Sequence, residues 1–365
     1  MDIEPKNAEA TYVVGLCFYY KGKLEEAMEY FQEALIFDSK NTKAHQMIIK
    51  AKAILEKIYH GIEFYYSGAF LEAQAVYFEA LQIDSSNKAT NSYIYYNRAA
   101  AYLEMGSMCD AILECSRALE EDSQFVMALM LRARCQKGMK NFKECVKDYE
   151  SAWLIEKTTE IERLLKQAQL LLKKSIGKEL FKSGEFLKAQ AVYTEALQID
   201  PNNKDMNSKL YYNRALVNWK IGEIRDAVQD CTNALVLNSK HLKALLLRAR
   251  CQYDMKNFEK CVEDYEKALK IEKSKKTERL LKEAKIALKK SKRKSYYEIL
   301  GIDKNATETE IKKAYKKQAL AHHPDKHANG TKEKIREQEE LFKDILEAYT
   351  KLMDSQKSSR YYQDY

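Results

Sequence analysis

The chain has 365 residues, a net charge of +8 and 45% hydrophobic residues, enough apolar material for packed domains and too much for a wholly disordered chain. Eleven Gly and three Pro are too few for a succession of short strands and tight turns, so an all-α protein is expected. No apolar run approaches the ~18 residues of a membrane span, so no membrane partner is expected, and the acidic start "MDIEPKNAEA" does not read as a secretory leader.

The opening segment carries Gly15, Phe18, Ala27, Phe31 and Ala34 in the spacing of a helical hairpin. "FLEAQAVYFEALQID" begins at Phe70, and "FLKAQAVYTEALQID" begins 116 residues later at Phe186. The same offset maps "YYNRAA" onto "YYNRAL", "LRARCQKGMKNF" onto "LRARCQYDMKNF" and "ERLLKQAQ" onto "ERLLKEAK" without a gap, so a large block is duplicated whole. Inside each block a period of 34 links Ala111 to Cys145 and Ala118 to Ala152, and again Ala227 to Cys261 and Ala234 to Ala268.

This period resembles the tetratricopeptide (TPR) repeat. Small residues let two helices of a hairpin approach, and the aromatic between them is expected to fill the gap to the next hairpin. Seven hairpins are expected, beginning near Ala8, Ile54, Ser92, Val126, Leu170, Ser208 and Leu242. Extra residues after the first hairpin and before the fifth contain good helix formers and no breaker, so they read as lengthened helices. The expected organisation is a single hairpin with linker helix over 8–53, a three-repeat block over 54–169, and a second over 170–293 with an extended helix. A different domain follows over 294–365. Stacked TPR hairpins form a superhelix with a concave groove.

The eight cysteines, Cys17, Cys109, Cys115, Cys135, Cys145, Cys231, Cys251 and Cys261, form no C-x-x-C pair and fall among apolar helical positions. They read as small reduced core residues, which points to a cytoplasmic chain, with the nucleus as a further compartment.

TPR grooves in co-chaperones commonly hold acidic chaperone tails in a carboxylate clamp of Lys, Asn, Asn, Lys and Arg, because a free carboxylate needs charged and amide donors at fixed spacing. The second block resembles that pattern at Lys174, Asn213 and Lys243, has Lys178 at the first Asn site, and has Leu247 at the Arg site with Arg248 one residue on. The resemblance implies a tail clamp formed by Lys174, Lys178, Asn213, Lys243 and Arg248, with HSP90 as the partner it admits. The first block has Ile58, Ile62, Asn97, Met127 and Leu131 at the same sites, so it is not expected to hold an acidic tail.

After Lys294 the 34-residue rhythm stops. "SYYEIL" reads as a short helix ended by Gly301, and "TETE" at 307–310 is a capping-box signature. Ile311, Tyr315, Ala319 and His322 form the packing face of the next helix. Lys312, Lys313, Lys316 and Lys317 lie opposite, and a later helix is expected to pack through Leu341, Phe342, Ile345, Tyr349 and Leu352. From Lys289 to Lys326 the chain carries eleven Lys and Arg against five Asp and Glu, so its partner should present an acidic surface. The whole stretch resembles a J domain, with His323, Pro324 and Asp325 as the signature tripeptide; Gln318 departs from the Leu of many J domains. The wider arrangement resembles TPR-containing J-domain co-chaperones.

The resemblance implies docking on an HSP70 chaperone and acceleration of its ATP hydrolysis. The loop His323, Pro324 and Asp325 would stimulate, and the basic residues Lys312, Lys313, Lys316, Lys317 and Lys326 would meet the acidic surface. Unfolded client proteins are the remaining partners, passed between HSP70 and HSP90. No enzymatic activity, cofactor or metal is expected. His323 and His327 are four apart, but Pro324 removes His323 from a helix and no zinc-protease Glu accompanies them. The cluster "KKSKRKS" at Lys289 reads as a chaperone-docking face or solvated helix end, and nucleic acid is not an expected partner. The alternative reading is a passive TPR scaffold with an inactive J domain.

Overall fold

A computed structural model describes residues 7–292, 296–327 and 331–361. Those residues form helices and turns, with no strand among them. Contacts divide the chain into two compact units, Met1–His241 and Leu242–Tyr365.

The first unit contains six hairpins: α1 (Ala8–Tyr20) with α2 (Leu24–Phe37), α3 (Thr42–Tyr66) with α4 (Phe70–Ile83), α5 (Lys88–Glu104) with α6 (Met108–Glu121), α7 (Val126–Gly138) with α8 (Phe142–Ile155), α9 (Thr159–Lys182) with α10 (Phe186–Ile199), and α11 (Lys204–Ile221) with α12 (Ile224–Leu237). The second unit begins with α13 (Leu242–Asp254), α14 (Phe258–Ile271) and α15 (Lys275–Lys292). It ends with α16 (Tyr296–Leu300), α17 (Glu308–Ala321), α18 (Pro324–His327) and α19 (Lys332–Tyr361). The extra residues of the sequence lie inside α3, α9 and α15 as lengthened helix.

Asparagine side chains start α1, α3, α5 and α11: Asn7, Asn41, Asn87 and Asn203 each accept from backbone N–H groups of the first turn, satisfying donors that the helix itself leaves unpaired. Each hairpin turn places one residue in the left-handed region two positions before the second helix. In five turns it is Gly (22, 68, 106, 184 and 222); in the other two it is Lys140 and Lys256.

Within each hairpin the second helix buries two small residues, such as Ala27 and Ala34 or Cys145 and Ala152. The intervening aromatic has two neighbours: it reaches the next helix as expected, Tyr149 packing with Ala168 of α9 and Tyr265 with Ala284 of α15. It also lies on its own hairpin's first helix: a Cβ added at Gly15, Gly61 or Gly177 would come within 2.6, 2.4 or 2.5 Å of Phe31, Tyr77 or Tyr193. Glycine is required there by close approach rather than by backbone angle.

The hairpins after the first of each block also carry an ion pair at a spacing of 16. Arg132 reaches Asp148, Arg214 reaches Asp230 and Arg248 reaches Asp264, each through Nε and Nη2 at 2.7–2.9 Å. Arg98 and Glu114 occupy the same positions but approach only to 3.4 Å. Between the first two hairpins, Asp84 accepts from Tyr19 Oη, Lys50 Nζ and Ser86. Burial raises its pKa, but these bonds outweigh burial and hold it well below the ordinary carboxylate value. All eight cysteines are free; six are buried, whereas Cys17 and Cys109 are exposed and so are not core residues.

The C-terminal helices close a separate core of Leu300, Ala306, Ile311, Ile345, Ala348, Leu352 and Met353. Leu341, expected to pack, is 42% exposed although it stands one turn before the buried Ile345 on the same face of α19. Tyr315 and Tyr349 stack with centroids 4.1 Å apart.

Candidate docking sites

Thr307 and Glu310 form the expected capping box at the start of α17. This fixes the helix that carries Lys312, Lys313, Lys316 and Lys317, and all four are exposed along one side. Lys312 also donates to Glu308 one turn back. Since Ile311 is fully buried on the opposite side, the helix has no freedom to roll its lysines inward.

At the end of α17 each of three histidines has a different job. His322 is half-buried and its Nδ1 lies 2.7 Å from Gln338 Oε1. His323 sets its ring edge-on to Phe342, centroids 5.5 Å apart, and its Nδ1 accepts the Asp325 backbone N–H at 3.3 Å. A nitrogen that accepts carries no proton, so this bond selects the tautomer protonated at Nε2. His327 Nε2 sits 2.9 Å from the Ala321 carbonyl oxygen, closing the loop. Pro324 begins α18, the single turn that also holds Asp325 and the exposed Lys326. The Asp325 side chain is 88% exposed. The histidines therefore brace a loop and present a carboxylate beside a basic helix, which is docking chemistry. Gln338 and Phe342 were not legible as partners, since both lie on the far side of the turn from the tripeptide.

In the first unit, Lys174 is half-buried on α9 and Lys178 is exposed one turn on. Asn213 is half-buried on α11, one turn after Lys209. Desolvation, then repulsion from Lys209 and Lys178, holds the Lys174 amine below its ordinary pKa. Lys209 was missed in the sequence; its signal is the i−4 position relative to Asn213 on one helix face. A half-buried lysine among lysines is a site that an incoming carboxylate relieves.

In the second unit, Lys243 is exposed on α13, and Leu247, at the clamp's Arg position, is buried. Arg248 departs from its expected role: both arms of its guanidinium are held by Asp264 at 2.8 Å. It closes its own hairpin, as Arg132 and Arg214 close theirs, and is not offered to a ligand.

Residues 295–362 match the DnaJ domain family model, and tetratricopeptide repeat models match 1–42, 175–203 and 242–275. DnaJ homolog subfamily C member 7 of Mus musculus is 38% identical over 357 residues, covering 95% of this chain and 70% of the relative. The chain belongs to the DnaJ homolog subfamily C member 7 family. A Dictyostelium discoideum homologue of that protein is 33% identical over 347 residues, with 94% of this chain and 64% of the relative covered. Among solved structures, the P58(IPK) TPR domain is similar at 16% identity and a TM-score of 0.41, over 80% of this chain and 82% of that one. As a member of this co-chaperone family, the chain combines TPR repeats with a C-terminal DnaJ domain.

Proposed function

We propose that the chain stimulates ATP hydrolysis by an HSP70 chaperone through its DnaJ domain and uses its TPR repeats to hold chaperone tails and unfolded clients, governing client transfer between HSP70 and HSP90 in the cytoplasm. One observation carries this reading: the Asp325 carboxylate is exposed on a loop braced by His323 and its neighbours, beside the basic side of α17. A carboxylate held out in this way can form a charge-assisted bond with a basic group on HSP70, while Lys312, Lys313, Lys316, Lys317 and Lys326 meet acidic surface. The chain performs no chemistry of its own in this reading. In the TPR region, the tail-binding residues are Lys174, Lys178 and Asn213, with Lys243 added by the family pattern and Arg248 left to its hairpin.

Single-turnover ATP hydrolysis by HSP70 tests the proposal. The full chain is expected to accelerate it, and His323→Gln to abolish the acceleration without lowering thermal stability by more than about 1 kcal/mol, since the imidazole is half-exposed. No acceleration by the unaltered chain would favour the passive scaffold.

A further inference from the structure

The helix α15 is a third copy of α3 and α9. At successive offsets of 116 residues, Ile54, Leu170 and Ile286 correspond, and so do Lys57, Lys173 and Lys289. On α3, Ile54 is 2% exposed and shares a core with Ala73, Tyr77 and Ala80 of the covering helix α4. Lys57 closes on Glu79 of that same helix. On α9, Leu170 is 0% exposed in a core with Ala189, Tyr193 and Ala196 of α10, and Lys173 closes on Glu195. On α15, Ile286 is 49% exposed and Lys289 is exposed.

The inner side of α15 is satisfied: Ala284 is buried with Ala249, Cys261 and Tyr265, and Leu280 and Leu281 pack against them. The outer side carries a shallow groove of about 380 Å³ lined by Glu278, Leu281, Lys282, Lys285, Ile286 and Lys289. Lys285 already reaches Glu266 at 2.7 Å, so Lys282 and Lys289 set the charge that an occupant meets.

The molecule itself shows twice what covers this face. In both cases it is a helix with an Ala and Leu stripe and one glutamate on the lysine. We propose that the outer face of α15 is a docking site for an amphipathic, acidic helix of a partner protein. Its apolar stripe covers Ile286 and Leu281, and a carboxylate pairs with Lys289. Basic flanks select acidic helices and reject basic ones, since like charges across a dry contact are costly.

The test uses the full chain and a fluorescein-labelled peptide with the sequence Phe70–Ile83, which carries Glu72 and Glu79 and no basic residue, followed by anisotropy. Saturable binding is expected, weakened about tenfold or more by Ile286→Asp and by Lys289→Glu. A peptide bearing Glu79→Lys is expected to restore binding to Lys289→Glu while binding the unaltered chain poorly. Circular dichroism melts identify any variant that has unfolded, and Lys289→Glu, at an exposed position, keeps the test open if Ile286→Asp does so. Unchanged affinity in both variants, or failure of the charge-reversed peptide to rescue, overturns the proposal. It is also overturned if the peptide never binds because the DnaJ domain seats on this face in cis. Two further results have the same consequence: self-association that depends on Ile286, and Ile286-dependent flotation with phosphatidylserine vesicles without peptide binding.

Discussion

The two duplicated stretches, α3–α8 and α9–α14, keep one hairpin skeleton and differ where the skeleton does not need them. Gly61 and Gly177 seat Tyr77 and Tyr193 in the same way, whereas Ile58 and Ile62 of the first stretch become Lys174 and Lys178 in the second. Ile58 is buried in the core of its neighbours. Lys174 sits in the same place with a long charged side chain, and the strain appears as a lowered amine pKa. The second difference is in the ion pairs. Asp230 takes two guanidinium N–H groups of Arg214 and the Asn218 amide, but Glu114, one methylene longer, cannot align with Arg98, and its Oε2 is left without a hydrogen bond. Identical folds thus tolerate a change of groove charge more readily than a change of hairpin-closing geometry.

The largest expected effect breaks the second difference. Asp230→Ala strands Arg214 and is expected to cost about 3 kcal/mol in urea unfolding, whereas Glu114→Ala should cost about 1 kcal/mol because its pair is already imperfect. Equal losses would show that aligned geometry contributes nothing. Next, Lys174→Ile with Lys178→Ile turns the second groove into the first. Affinity for an acidic chaperone-tail peptide should fall about thirtyfold, roughly 2 kcal/mol. The unaltered groove should also bind more weakly as pH rises through the depressed Lys174 pKa, because a neutral amine no longer pairs with a carboxylate, and the double variant should lose that dependence in fluorescence titrations. A smaller effect concerns Glu114 alone. Burial, opposed by Arg98 and Arg117, raises its carboxyl pKa. Its contribution to stability is therefore present below the unfolded value of ~4.3 and lost as pH rises through the folded value. Glu114→Gln should flatten that part of the stability profile, and a parallel profile would exclude the effect.

Much of this was legible because it is periodic. The 34-residue spacing of Ala111 and Cys145 marks hairpins, and "TETE" followed by Ile311 and Tyr315 marks a capped helix with one packing face. The stretch "HHPDK" read as a docking loop once its place after that helix was clear. What escaped the sequence depends on partners far along the chain. Arg248 looked like a groove cation until Asp264, on the next helix, was seen to hold it. Leu341 fits the 3–4 period yet is exposed: it stands one turn before Ile345, at the end of the stripe that Ile345, Ala348 and Leu352 bury.

The smallest expected effect concerns a feature the two stretches share. Lys140 and Lys256 hold φ of 64° and 63° at the turn position that is glycine in the other five hairpins. A side chain in the left-handed region costs ~1 kcal/mol or more through the clash of Cβ with the following carbonyl. Glycine removes that clash but gives the unfolded chain more freedom, which returns part of the gain. Lys140→Gly and Lys256→Gly should therefore each stabilise by only ~0.5 kcal/mol, additively, since the two turns belong to separate hairpins. Replacing the same lysines by valine should destabilise, because a β-branched residue is least tolerant of positive φ. Thermal melts of the four single variants decide the matter: a gain from valine, or a loss from glycine, would mean that the lysine side chains stabilise these turns through contacts of their own.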